Sequence, residues 1–336
     1  VTSSSCWVPN ARRRDQPVLV IPAEMGIHTD GLVGGDESQW TPAFAGVTNK
    51  SSEVSEREVT MDRFRVGDAE IRRIEEMRAK FPASGFADEA FIAANSDWLK
   101  PHFVNADGTV DFVFQSWVVR VDDLVVVVDP CNGNGRSRPH LAFFDNLQTD
   151  FIERFERDGV DPMAVDVVFC THLHCDHCGW NTRLRGGRWV PTFPNARYLF
   201  GRREFDRRDP AQPGYRPIEH NEGVWEDSIA PIAAAGLAEL IDDHHQLSPS
   251  LVASPSGGHT IGHLSLGLSS AGENAWFTGD AVHHPIQLAR PEASLGGDEA
   301  PEAATAFRRI VADHLSTTGA LMIPAHFAGP HVGHVR

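Results

Sequence analysis

Between Phe112 and Asp129 apolar residues alternate with polar ones, break at Val121-Asp122-Asp123, and then run unbroken as Leu124-Val125-Val126-Val127-Val128. Alternation at period two suits a strand, and an unbroken β-branched run suits one covered on both faces, so this segment predicts a hairpin with a buried second strand. Leu141, Phe144, Leu147, Phe151, Ile152 and Phe155 recur every three or four residues up to Gly159, which predicts one amphipathic helix ended by that glycine. Shorter patterned stretches predict strands at 165–170, 196–200, 264–269, 274–279 and 320–324, with helices near 202–208, 226–240 and 301–315. Val66 through Met77 opens the structured part, with Ile71, Ile74 and Met77 at a spacing that suits a helix or a strand end. Residues 1–60 carry neither period and are rich in Ser, Pro, Gly and Thr, so they read as an irregular arm or tail ahead of a domain at 61–336. Met61 is a candidate native start, which the intact mass of protein from its native host would decide.

Composition narrows the class of partner. The 336 residues are 41% apolar, ample for a core, and 30 basic against 46 acidic residues give a net charge of −16. That charge opposes nonspecific attraction to nucleic acid or anionic membranes, and the pairs Arg202-Arg203 and Arg207-Arg208 read as a solvated helix face. No apolar run approaches the roughly 18 to 20 residues of a membrane span. Val18-Leu19-Val20-Ile21, between Pro17 and Pro22, is too short for a secretory core, so a soluble cytoplasmic protein is expected. Five cysteines is an odd count, and Cys170, Cys175 and Cys178 crowd one loop, which suggests reduced thiols; Cys175-x-x-Cys178 reads as core filler beside better ligands.

The candidate chemistry lies in that loop, Thr171-His172-Leu173-His174-Cys175-Asp176-His177. His172 and His174 can project the same way from an extended segment, while Asp176 and His177 fall where the chain should turn into a helix and can face a second ion. Gly257-Gly258-His259-Thr260-Ile261-Gly262-His263, Phe277-Thr278-Gly279-Asp280 and Ile323-Pro324-Ala325-His326 follow, each beside a short apolar stretch. A ligand at the carboxyl end of a strand is held by a rigid sheet with its side chain in a cleft. Asp129 closes its apolar run in the same way.

Taken together these motifs resemble the metallo-β-lactamase superfamily over roughly residues 110–330. The resemblance implies an α/β fold, an αββα sandwich of two mixed sheets flanked by helices. It assigns His172, His174 and His259 to one metal and Asp176, His177 and His326 to a second, with Asp280 bridging. The expected cofactor is two divalent ions, most simply Zn, with Mn, Fe or Co as alternatives, about 3.5 to 4 Å apart. Asp129 is expected to orient the ligand loop, His263 to support the site from beneath, and Gly258 and Gly262 to permit a tight turn. Asp176 and His283 are the candidate catalytic residues; His283 stands three residues after the bridging Asp, where lactonase relatives carry a Tyr, and an imidazole there can stabilise an oxyanion or protonate a leaving group.

The resemblance points to a dinuclear hydrolase whose bridging hydroxide attacks a small-molecule ester, lactone or phosphotriester, similar to methyl parathion hydrolase and N-acyl-homoserine lactonases. The run from Ala325 to Val335, with its Gly-His turn after the last ligand, is most like the organophosphate hydrolases. A homodimer is the family expectation. The alternatives are a mononuclear iron persulfide dioxygenase and a class B β-lactamase-like amide hydrolase; Asp280 counts against the latter, and His174 against the flavodiiron oxidoreductases.

Overall fold

A computed structural model describes residues 62–295 and 297–335. The strands begin with β1 (Arg63–Val66), β2 (Ala69–Pro82), β3 (Thr109–Val121), β4 (Leu124–Val128), β5 (Val167–Cys170), β6 (Thr182–Arg185) and β7 (Arg188–Pro191). They continue with β8 (Arg197–Gly201), β9 (Ala238–Ile241), β10 (His245–Ser248), β11 (Leu251–Pro255), β12 (Leu264–Ser270), β13 (Glu273–Gly279) and β14 (Leu321–Pro324). One sheet has the order β1-β2-β3-β4-β5-β8-β9 and the other β10-β11-β12-β13-β14, while β6 and β7 form a separate hairpin. β4, β5, β8 and β9 pair in parallel, as do β13 and β14; the other neighbours are antiparallel.

Side-chain alternation separates two cores. Ile71, Val119, Val126, Val128, Val167 and Leu199 of the first sheet meet Leu251, Leu266, Leu268, Phe277 and Ile323 of the second, forming the layer between the sheets. Ile74, Val118, Val127, Val168 and Tyr198 point the other way, into a core shared with helix residues such as Phe151, Phe155, Ile232, Val311 and Leu315. The result is the expected αββα sandwich.

The hairpin at β3 and β4 and the strands at β5, β8, β12, β13 and β14 fall where the pattern puts them. Ile71 and Ile74, whose spacing left helix and strand open, lie on opposite faces of β2, and are therefore strand residues. Two expected helices are corrected. Only Phe151–Arg157 of the aromatic-rich segment is helical, because residues 141–149 pair instead with the preceding loop: Asn146 N–H donates to Arg136 O (2.7 Å), Gly135 N–H to Leu147 O (2.8 Å), and Asn134 exchanges two hydrogen bonds with Thr149. The 226–240 helix stops at Ala234; Gly236, in the left-handed region (φ 72°), turns the chain into β9. The arm at 1–60 and the candidate start Met61 lie outside the described residues.

Candidate metal centre

Strand ends deliver the polar side chains. Asp129, in the left-handed region (φ 51°) just past β4, turns its carboxylate onto the next loop, where it accepts from Thr171 N–H (2.7 Å) and Thr171 Oγ1 (2.9 Å). His172 and His174 follow β5, and Asp176 and His177 occupy the single turn Cys175–Cys178. His259 lies on the connection between β11 and β12, Asp280 follows β13 and His326 follows β14. Gly258 and Gly262 carry no side chain where the helices Pro301–Thr318 and Arg202–Arg208 press on this connection: a Cβ at Gly258 would overlap Ala304 backbone, and one at Gly262 would overlap Glu204 backbone.

These residues converge in two sets of ligand atoms, His172-His174-His259 and Asp176-His177-Asp280-His326, each within 4.8 Å. His174 Nδ1 lies 3.0 Å from His172 Nε2 and 3.1 Å from His259 Nε2. A single imidazole nitrogen cannot satisfy two others by hydrogen bonding, so this arrangement suits a cation. Asp280 stands between the sets, with Oδ2 3.2 Å from His177 Nε2 and 3.4 Å from His259 Nε2, and Oδ1 2.9 Å from His326 Nε2. The outer nitrogens are held from behind: His177 Nδ1 by Asp129 (3.0 Å), His326 Nδ1 by Val113 O (3.0 Å), His172 Nδ1 by Thr171 Oγ1 (3.1 Å) and His259 Nδ1 by Asp298 (3.3 Å). The residues fit two borderline divalent ions in donor type and grouping.

Electrostatics differ across the cluster. Burial, reinforced by neighbouring histidines, pushes His172 and His174 well below the usual imidazole range. Burial acts the same way on His177 and His326, but Asp280 and Asp176 outweigh it and raise both. Burial opposes ionisation of Asp280, yet His177, His326 and His283 hold it well below the carboxylate range.

A family model described as the metallo-beta-lactamase superfamily matches residues 112–326. The chain belongs to that superfamily. The fold of this superfamily member is shared with the hydrolase AbOPH of the beta lactamase superfamily, at 23% identity over 81% of this chain and 91% of that one, TM-score 0.66. AidC, a dizinc quorum-quenching lactonase solved with N-hexanoyl-L-homoserine product, matches at 18% identity over 81% and 92%, TM-score 0.65. A probable metal-dependent hydrolase from Staphylococcus aureus matches at 17% identity over 78% and 91%, TM-score 0.60. No curated protein sequence matches the chain.

Around the centre of this superfamily member, His263 sits beneath the ligands, its Nε2 accepting from Asp280 N–H (3.1 Å) and its Nδ1 2.6 Å from Ser256 Oγ. His283 places Nε2 3.2 Å from Asp280 Oδ2 and stacks nearly parallel to His326 and Phe112. Its neighbour His284 turns away, to Phe103 O (3.0 Å) and a stack on Phe86. Both are buried. Four cysteines, Cys131, Cys170, Cys175 and Cys178, are buried free thiols, and burial pushes each one up. The reading of Arg207-Arg208 as a solvated face is corrected at Arg208, which is buried between Glu204 (3.0 Å) and Glu299 (2.9 Å).

Sequence reasoning missed several residues that build this site. Glu76 is the extra residue of a bulge between Glu75 and Met77 in β2, which aims it into the loop after β4. There it accepts from Asn132 N–H (2.8 Å), Gly133 N–H (3.1 Å) and Trp180 Nε1 (2.6 Å). Asp298 and Arg308 were missed as well. No motif marks these residues: Glu76 meets Asn132 56 positions away and Asp298 meets His259 39 positions away, and the Asp298–Arg308 pair forms only once the segment before the helix folds back on it.

Proposed function

We propose that the chain is a dinuclear metal-dependent hydrolase of small uncharged esters, lactones or phosphotriesters. The observation that carries the reading is Asp280, whose two oxygens face imidazoles of both ligand sets. His172, His174 and His259 hold one ion, Asp176, His177 and His326 the other, and Asp280 links them. Two such ions acidify water and polarise a carbonyl or phosphoryl oxygen when bound. Asp129 faces Nδ1 of His177 at 3.0 Å, which leaves the Nε2 of that ring turned inward.

His283 acts on the substrate side. Its Nε2 lies 3.2 Å from Asp280 Oδ2, Phe112 stacks on its ring, and its backbone N–H donates to Gln287 (2.7 Å), which supports a role in donating a proton to an oxygen that gains charge. Asp176 binds the ion of the second set, its Oδ2 3.7 Å from His326 Nε2. Zinc is the native metal in this reading, and the protein works as a cytoplasmic homodimer. Buried free thiols support a reducing compartment.

A panel of lactones, aryl esters and phosphotriesters, assayed on protein of measured metal content, tests the activity. Turnover of at least one of these classes that disappears on metal removal and returns on re-addition is expected. Oxygen consumption with glutathione persulfide and no hydrolysis would replace the proposal with the dioxygenase reading.

A further inference from the structure

We infer that Asp298, braced by Arg308, is a positioning residue that fixes His259 for its metal ion; this rests on the dinuclear reading above. Asp298 Oδ1 lies 3.3 Å from His259 Nδ1, and both Asp298 oxygens accept from Arg308 NH2, at 3.1 and 2.9 Å. The guanidinium is fully buried and uses its remaining nitrogens on backbone: Nε donates to Ala281 O (2.9 Å), and NH1 to Pro291 O (3.1 Å) and Ala293 O (2.9 Å). Ala281 directly follows Asp280. One side chain from the helix Pro301–Thr318 therefore ties together a ligand from the β11–β12 connection and the ligand after β13.

The segment around Asp298 grips the same turn by its backbone. Glu299 N–H donates to His259 O (2.8 Å), Ala300 N–H to Gly258 O (2.9 Å), and the Glu299 carboxylate accepts from Ile261 N–H (3.1 Å) while Arg208 holds it from the other side (2.9 Å). A buried ion pair adds little net stability by itself, because desolvation offsets the attraction. What the pair does here is directional. By accepting the Nδ1 proton, Asp298 fixes the tautomer of His259 and presents the Nε2 lone pair toward His174 Nδ1 and Asp280. The inference predicts an effect on one ion of the two.

Metal content under increasing chelator, measured on wild-type protein, Asp298→Ala and Asp298→Asn, tests this directly. In Asp298→Ala one equivalent should leave at a chelator concentration about 10- to 100-fold lower than in wild type, while the other equivalent is unchanged. Asp298→Asn, whose side-chain oxygen still accepts from Nδ1, should recover part of that loss, and the metal-free unfolding transition should stay close to wild type. Equal retention of both ions in Asp298→Ala overturns the inference. Loss of both ions in step with loss of fold in Asp298→Asn also overturns it, because the pair is then structural. Wild-type protein that binds no metal overturns the dinuclear reading itself, and the inference falls with it.

Discussion

The two ligand sets of this site are built from similar residues and behave as opposites. His172, His174 and His259 form a set without a carboxylate of its own, in which burial and mutual repulsion push His172 and His174 well below the usual imidazole range. His177 and His326 sit against Asp176 and Asp280, and those carboxylates raise them despite burial. Burial thus works against a proton on His172 and His174, while the carboxylates favour one on His177 and His326. The lesson is that loading the two sides is different chemistry: protons compete with an ion more strongly at His177 and His326 than at His172 and His174.

Removing the proposed shared ligand breaks the contrast most severely. Asp280→Ala should lose the metal pair and drop kcat/KM by about 10³-fold or more, since two cations then face each other with less compensating charge. Elemental analysis and turnover read this together; a variant that keeps both ions and full activity sinks the bridging role. The next effect falls on chemistry alone. His283→Phe should keep its metals but lose about 10²- to 10³-fold in kcat, most with poor leaving groups. Wild-type rates on activated and unactivated esters alike would reduce His283 to loop structure, and metal loss would make it a ligand.

Asp129→Asn sharpens the contrast by weakening only the carboxylate-rich side. Asp129 faces His177 Nδ1 at 3.0 Å, and its loss should cost about 10- to 100-fold in affinity for that ion. Equal weakening of both ions would show that Asp129 acts on the whole loop through Thr171. The smallest effect is on pH. His177 and His326 have raised pKa values in the metal-free protein, so their protons are present below those values and are lost as pH rises through them. Affinity on that side should therefore fall with falling pH, by up to about tenfold per unit for each displaced proton, while the His172 set holds on to lower pH. Parallel pH profiles for the two ions would contradict the electrostatic difference.

Much of the candidate site was legible in the sequence because its residues come in short motifs. His172, His174, Asp176 and His177 announce themselves within one loop, and Asp280 and His326 close strands whose apolar runs are easily read. Partners that meet only in the folded chain were not legible. Glu76 reaches its loop through a bulge, and Asp298 and Arg308 look like ordinary helix-region charges until they close on each other. Arg208 hid for the same reason, as one of a charged run that is exposed at Arg203 and buried five residues later. Periodicity also misled where local polar residues overruled it. The aromatic spacing from Leu141 to Phe155 is helical, yet the Asn134–Thr149 exchange holds its first half in turns, and Gly236 turns the expected long helix into an edge strand.

The central claim is a pair of ions held by seven side chains, and metal stoichiometry tests it most directly. Protein purified without chelator and analysed for Zn, Mn, Fe and Co should approach two equivalents per chain. A reproducible limit of one equivalent under metal-replete conditions would contradict the account.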